Sequence, residues 1–153
     1  MPTIPGWPVE GGKDLHPVTR TSQEHVDFRE QPAVDFAKAG TFRGTHLGDW
    51  TVAQFAGVVT CARYVGGQYG PGWIVEYEGE VEGIGTVRIG LCHHGTDEDG
   101  GLLVAEGDFV EEGQRLGPVG YSGWTIPPGI GGVHLHLKMY VNGERVDPEP
   151  YLT

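Results

Sequence analysis

The sequence predicts an all-β fold, a compact antiparallel sheet or barrel-like domain with long loops around a groove, and three observations carry that expectation. Glycine (27) and proline (11) together make up about a quarter of the 153 residues. They are spread between short apolar runs rich in Val, Ile, Tyr and Trp, which suits short strands joined by tight turns. No window keeps a helical period over a dozen residues. The last long apolar run alternates strictly, as a half-buried strand does.

Taken in order, residues 1–32 are proline-rich and polar and show no alternation worth a strand, which marks an N-terminal arm wrapped on a domain spanning 33–153. Ala33–Ala37 is a short apolar run around one acid, Asp35. Trp50–Cys61 reads as two strands kinked near Gly57. Trp73–Tyr77 and Thr86–His93 flank the acidic loop Glu78–Gly85 as a hairpin. Thr96–Gly101 is a polar loop, and Gly107–Gly117 has glycine at the corners of a β-turn staple. Gly120–Gly132 is a long Gly/Pro loop carrying Tyr121 and Trp124. Val133–Val141 is the last long strand, closed by Asn142-Gly143, a strong hairpin-turn dipeptide. Neither a repeat nor a second domain is visible.

Composition excludes some functions. The formal charge is −11, with 10 Lys and Arg against 21 Asp and Glu. Phosphate-backbone binding needs clustered basic residues, so nucleic acid is not an expected partner. An anionic membrane finds no basic patch, and no stretch is long enough to span a bilayer. The N-terminal MPTIPGWPVEGG has neither a basic n-region nor an apolar h-region, so no secretory signal is expected. Cys61 and Cys92 have no metal-knuckle spacing and are expected as buried thiols on strands, with a single bridge between them left open.

The last strand carries the chemistry. Alternation puts Val133, Leu135, Leu137, Met139 and Val141 on one face and His134, His136, Lys138 and Tyr140 on the other. The first set reads as core. The second holds two imidazoles with Cβ atoms about 6–7 Å apart, close enough to share a metal or to divide metal and substrate between them. Two solvated surface histidines remain the plain alternative. Earlier, alternation places His93 on one face with Val87, Ile89 and Leu91, at a strand end beside glycine-rich loops.

Asp35-Phe36-Ala37, Gly57-Val58-Val59, Cys92-His93, Gly107-Asp108-Phe109-Val110-Glu111-Glu112-Gly113-Gln114-Arg115-Leu116-Gly117, His134-Leu135-His136 and Asp147–Leu152 follow one another in that order. Together they resemble the lysostaphin (LytM-type) zinc metalloendopeptidases, over roughly residues 31–152. The resemblance implies a compact antiparallel β domain with a groove and one zinc ion, acting on the peptide cross-links of bacterial peptidoglycan. It makes Asp35 and His136 metal ligands, and His93 and His134 the acid/base and oxyanion-stabilising pair. Zinc chemistry accords with those roles, since the ion acidifies its water and polarises an amide while histidines move the proton. Tyr121 and Trp124 would overhang the groove and stack on a peptide or sugar, or else pack on the Pro127-Pro128 turn.

This chain departs from the family at one ligand. Four residues before Asp35, where the family has its first histidine, stands Gln31. A neutral amide is a poor zinc donor. His25, His46 and His94 are the unassigned imidazoles that could fold back as a substitute. Two functions follow. The first, which Gln31 favours, is a degenerate domain with an impaired metal site, a structural part of a bacteriophage particle such as a tail tip, held by other virion proteins against host peptidoglycan. The alternative is an active zinc endopeptidase. Delivery by a particle would dispense with a signal peptide and place the protein on the virion or outside the cell at the wall. The rhythm of Gly107–Gly120 also resembles a biotinyl or lipoyl carrier, but Lys138 lies mid-strand and not at a hairpin tip.

Overall fold

The computed structural model describes residues 2–27, 30–38 and 42–153, with backbone alone at Asp27 and Arg43. Two short helices, α1 (Gly12–Leu15) and α2 (Ser22–Asp27), bracket strand β1 (Val18–Arg20). After them come β2 (Val34–Phe36), β3 (Trp50–Val52), β4 (Gly57–Val65), β5 (Gly72–Val81), β6 (Gly85–His94), β7 (Phe109–Val110), β8 (Arg115–Pro118), β9 (Leu135–Val141) and β10 (Glu144–Val146). An eight-stranded sheet runs β1-β2-β9-β6-β5-β4-β7, with β10 beside the far half of β9, and β3 pairs β8 in a second, two-stranded sheet. Every pairing is antiparallel. Among the described residues no helix is long and apolar enough to cross a membrane.

The alternation expected in the last strand is the alternation observed. Val133, Leu135, Leu137 and Met139 are fully buried, while His134, His136, Lys138 and Tyr140 are half-buried on the other face. The buried set meets Val87, Ile89 and Leu91 of β6 and Val75 and Tyr77 of β5 in one core. Tyr77 is buried whole, and its hydroxyl accepts the Gln54 N–H at 2.9 Å. That contact satisfies a polar atom which would otherwise be costly there. Asn142 and Gly143 turn with φ of 50° and 86°, the left-handed pair that a two-residue hairpin demands.

Three expectations change. The segment before Ala33 is more than an arm: Ile4 and Val9 lie in the core, and Val18–Arg20 forms an edge strand on β2. Its residues Met1, Phe28 and Arg29 lie outside the described set. The acidic loop shrinks as well, because Glu78–Val81 continues β5 and only Glu82–Ile84 turns. Glu78 and Glu80 are accommodated as outward-facing strand residues opposite Arg88 and Thr86. Last, Cys61 is only half-buried and Cys92 buried, and both are free thiols. Burial pushes the Cys92 thiol up to about 12, so it is inert as a nucleophile.

Candidate metal centre and groove

The sheet order brings β2, β9 and β6 side by side, and the site is built where they meet. Asp35 of β2 and His136 of β9 are direct cross-strand partners, and His136 in turn faces Cys92 of β6. Residues opposed in this way place their Cβ atoms about 4.5–5.5 Å apart. His136 Nδ1 lies 2.9 Å from Asp35 Oδ1. On the other side His25 Nε2 stands 3.3 Å from the same oxygen. Three donor atoms, from His25, Asp35 and His136, therefore converge within 4.8 Å of one another.

His25 comes from α2, and its placement has a local cause. Thr21 and Glu24 form a reciprocal cap: the Glu24 N–H donates to Thr21 Oγ1 at 3.2 Å, and the Thr21 N–H donates to Glu24 Oε1 at 3.1 Å. The cap starts the helix, and the next residue, His25, is then fully buried. Its Nδ1–H donates to the Thr21 carbonyl at 2.8 Å. That bond assigns the lone pair to Nε2, which is buried and makes no hydrogen bond of normal geometry. An imidazole held by a main-chain carbonyl, with its other nitrogen aimed at a carboxylate, has the form of a metal ligand.

Two further imidazoles face the same spot. His93 Nδ1–H donates to the Ser122 carbonyl and His134 Nδ1–H to the Gly132 carbonyl, each at 2.8 Å. Their rings lie 4.7 Å apart, and His134 Nε2 is 3.9 Å from Asp35 Oδ1. His93 reaches this position by leaving the strand pattern. Its φ is +66°, which breaks alternation and turns its side chain away from the Leu91 face into the cleft. Such a conformation costs a non-glycine residue about 1–3 kcal/mol and persists only where the surroundings impose it. Here the His93 N–H is held by the Pro71 carbonyl at 2.9 Å.

Burial, then the neighbouring His134 and His136, lower the His93 pKa to about 3, so this ring is neutral near pH 7. For Asp35, burial opposes ionisation, but contacts from His136 and His25 prevail and hold the carboxyl well below the usual range. Burial likewise disfavours a charged His25, and Asp35 outweighs it, raising that pKa.

The cleft above the site has a volume of about 1140 Å³ and is lined by Gln31, Asp35, Tyr69, His93, Trp124, His134 and His136 among others. The structure brings Asp35, His93, His134 and His136 together. Gln31 is exposed on the rim, where its Oε1 accepts from Arg145 Nη1 at 3.3 Å. Trp124 is on the cleft wall, 40% exposed and edge-on to Tyr69 at 5.1 Å. Tyr121 is not: its N–H donates to the Gly95 carbonyl at 2.9 Å, and the ring is half-buried against the core. Of the spare histidines, His94 is a core residue, with Nδ1–H on the Trp73 carbonyl at 3.1 Å and Nε2 2.9 Å from the Thr51 hydroxyl. His46 lies elsewhere.

No family profile matches the sequence, and no curated protein matches it. Solved structures do. A zinc containing peptidase from Vibrio cholerae superposes with a TM-score of 0.64 at 19% identity, over 95% of this chain and 39% of that one. The antimicrobial peptidase lysostaphin from Staphylococcus simulans gives 0.64 at 22%, over 91% and 50%. The catalytic domain of the prophage-encoded M23 protein EnpA from Enterococcus faecalis, in a point-mutant form, gives 0.55 at 24%, over 80% and 78%.

The chain has the lysostaphin-type M23 peptidase fold. It spans half or less of the Vibrio and Staphylococcus chains. Within that fold the donor set suits zinc. Ligands about 2.0–2.1 Å from a tetrahedral ion stand about 3.3–3.4 Å apart, close to the 3.3 and 2.9 Å separations from Asp35. Two imidazoles and one carboxylate are a donor set that catalytic zinc sites use.

Proposed function

We propose that the protein is a zinc-dependent endopeptidase of the lysostaphin type, cutting the peptide cross-links of bacterial peptidoglycan. The observation that carries this reading is the convergence of His25, Asp35 and His136, with His25 supplying the imidazole that Gln31 cannot. Beside them His93 and His134 have their tautomers set by backbone carbonyls.

Bound zinc would supply Lewis acidity for the scissile carbonyl and for the attacking water. The chain's own residues do the rest. His93, with its Nδ1–H held by the Ser122 carbonyl, presents its Nε2 lone pair to the attacking water as the general base and passes the proton to the leaving amine. His134, once protonated at Nε2, donates a hydrogen bond to the oxyanion, with Asp35 near enough to favour that charge. Tyr69 and Trp124 form an aromatic lip against which an extended peptide lies.

The test is zinc-loaded protein incubated with purified bacterial walls, following release of free amino groups. Release that disappears in Asp35→Asn supports the reading, and folded, zinc-loaded protein that releases none overturns it.

A second reading concerns location. The prophage origin of the Enterococcus neighbour favours a wall-directed component of a bacteriophage particle, held with other virion proteins. Detection of the chain in purified particles would support this, and its absence from them would sink it.

A further inference from the structure

A second His–His–Asp cluster lies outside the cleft. His16 follows α1, His46 ends the 3₁₀ turn Arg43–His46, and Asp49 lies just before β3. His46 Nδ1 is 3.1 Å and His16 Nε2 3.6 Å from the same atom, Asp49 Oδ2. The two rings are 4.5 Å apart, and all three donors fall within 4.8 Å of one another. The separations bracket the about 3.3–3.4 Å expected between ligands of a tetrahedral zinc ion.

A separate observation points to a ligand here. Both imidazoles are fully buried; His46 Nδ1 is hydrogen-bonded to Asp49 Oδ2, but His46 Nε2 and both nitrogens of His16 make no hydrogen bond of normal geometry. A buried neutral imidazole without a partner is a cost that native folds avoid. Hydrophobic packing alone does not account for two buried imidazoles tilted against each other at 34° beside a carboxylate.

The frame that holds the three side chains is rigid. Trp7 Nε1–H donates to the His16 carbonyl at 2.7 Å, the Asp49 N–H to the His46 carbonyl at 3.1 Å, and the Val119 N–H to the Asp49 carbonyl at 2.8 Å. One competing charge stands close: Lys38 Nζ is 3.7 Å from Asp49 Oδ2. Lys38 is partly exposed, and its Nζ also donates to the Thr45 carbonyl at 3.4 Å.

We propose that His16, His46 and Asp49 form a second divalent transition-metal site, of the zinc class, that staples the N-terminal segment to the turn before β3. Two nitrogens and one carboxylate select such an ion over calcium or magnesium, which take oxygen cages. The buried imidazoles give it a structural character. This inference stands on its own residues and does not depend on hydrolysis in the cleft.

The experiment uses the full chain carrying Asp35→Asn and His136→Ala, which removes two of the three cleft donors, with Co²⁺ and Zn²⁺ as probes. One equivalent of Co²⁺ should bind with visible d–d bands of an N/O site, and Zn²⁺ should displace it and raise the unfolding midpoint. Adding Asp49→Asn, or separately His16→Gln, should abolish both signals. A folded cleft-null chain that binds no Co²⁺, or one whose binding survives Asp49→Asn within threefold, overturns the proposal. Where the cleft-null chain does not fold, the same question is put to wild type against Asp49→Asn by metal content. A fall from two equivalents to one supports the second site, and a constant one equivalent refutes it.

Discussion

Among the described residues stand two clusters of the same composition, and they differ in what surrounds them. Each sets one histidine Nε2 and one histidine Nδ1 against a single carboxylate oxygen: His25 and His136 on Asp35, His16 and His46 on Asp49. In the cleft, His136 and Asp35 keep some exposure, and two more imidazoles share the space above them. At the other cluster both imidazoles are sealed, and the Lys38 ammonium stands 3.7 Å from the carboxylate. A donor set alone therefore does not make a catalytic centre. What separates the two is surroundings: the first opens on a cleft that His93 and His134 also line, and the second is closed over its imidazoles.

The largest expected effect breaks the comparison at its carboxylates. Asp35→Asn should reduce wall hydrolysis by more than about a thousandfold, because the several kcal/mol of charge stabilisation from the ion leaves with it. Asp49→Asn should instead be read in the unfolding midpoint of metal-loaded protein, at about 2–4 °C for each kcal/mol lost. Metal content per chain and a thermal melt on the two variants check the contrast. If Asp49→Asn removes hydrolysis and leaves the melt unchanged, the roles are assigned the wrong way round.

His93→Ala tests what the cleft has and the sealed cluster lacks. Loss of a positioned acid–base group costs about 10²–10⁴ in rate. Cleft metal should stay bound, since His93 contributes none of the three converging donors. Paired kinetics and metal analysis on one preparation would show it. Loss of the metal along with the rate would make His93 a ligand.

Much of this was legible in the sequence, and the misses have physical causes. The face assignment of β9 followed from strict alternation in a strand with one buried side, where a slip of one residue would expose the whole core set. Asp35 and His136 were legible through the family resemblance, and the sheet then sets them side by side as cross-strand partners. His93 was placed in the right region for a partly wrong reason, since no side-chain pattern announces a left-handed φ. His25 was harder. Its helix has only six residues, too short for periodicity, yet Thr21-Ser22-Gln23-Glu24 is a capping box that could have located it. His16 gave no signal, because its partners His46 and Asp49 lie about 30 residues further on across a loop.

The protonation of a core histidine gives the next effect. Burial lowers the His94 pKa to about 4, against about 6.5 unfolded. The unfolded chain then binds a proton that the folded chain refuses, so stability is present above about pH 6.5 and is lost as pH falls toward 4. Between pH 7 and 5 the loss from this residue is about 2 kcal/mol by that linkage. In His94→Gln the same acidification should cost correspondingly less, as read by denaturant midpoints at the two pH values. Equal losses in both proteins would locate the acid sensitivity elsewhere.

The smallest expected effect decides which residue completes the cleft. Gln31 is exposed and makes a 3.3 Å contact with Arg145, so Gln31→Ala should change stability by no more than about 0.5 kcal/mol. It should also leave cleft metal bound. His25→Ala should release that metal, because two donors remain where three converged. The decisive protein is the double variant His25→Ala with Gln31→His. Residue 31 lies on the rim of the same cleft, four positions before Asp35, and a histidine there would approach the carboxylate from the solvent side. Recovery of metal in the double variant would mean that the cleft accepts its third ligand from either direction, and that this chain has moved the donor without losing the site. Failure to recover, with Gln31→Ala still metal-bound, would mean that the buried Nε2 of His25 alone has the right approach. If instead Gln31→Ala releases the metal while His25→Ala retains it, the amide is the ligand and the assignment of His25 falls.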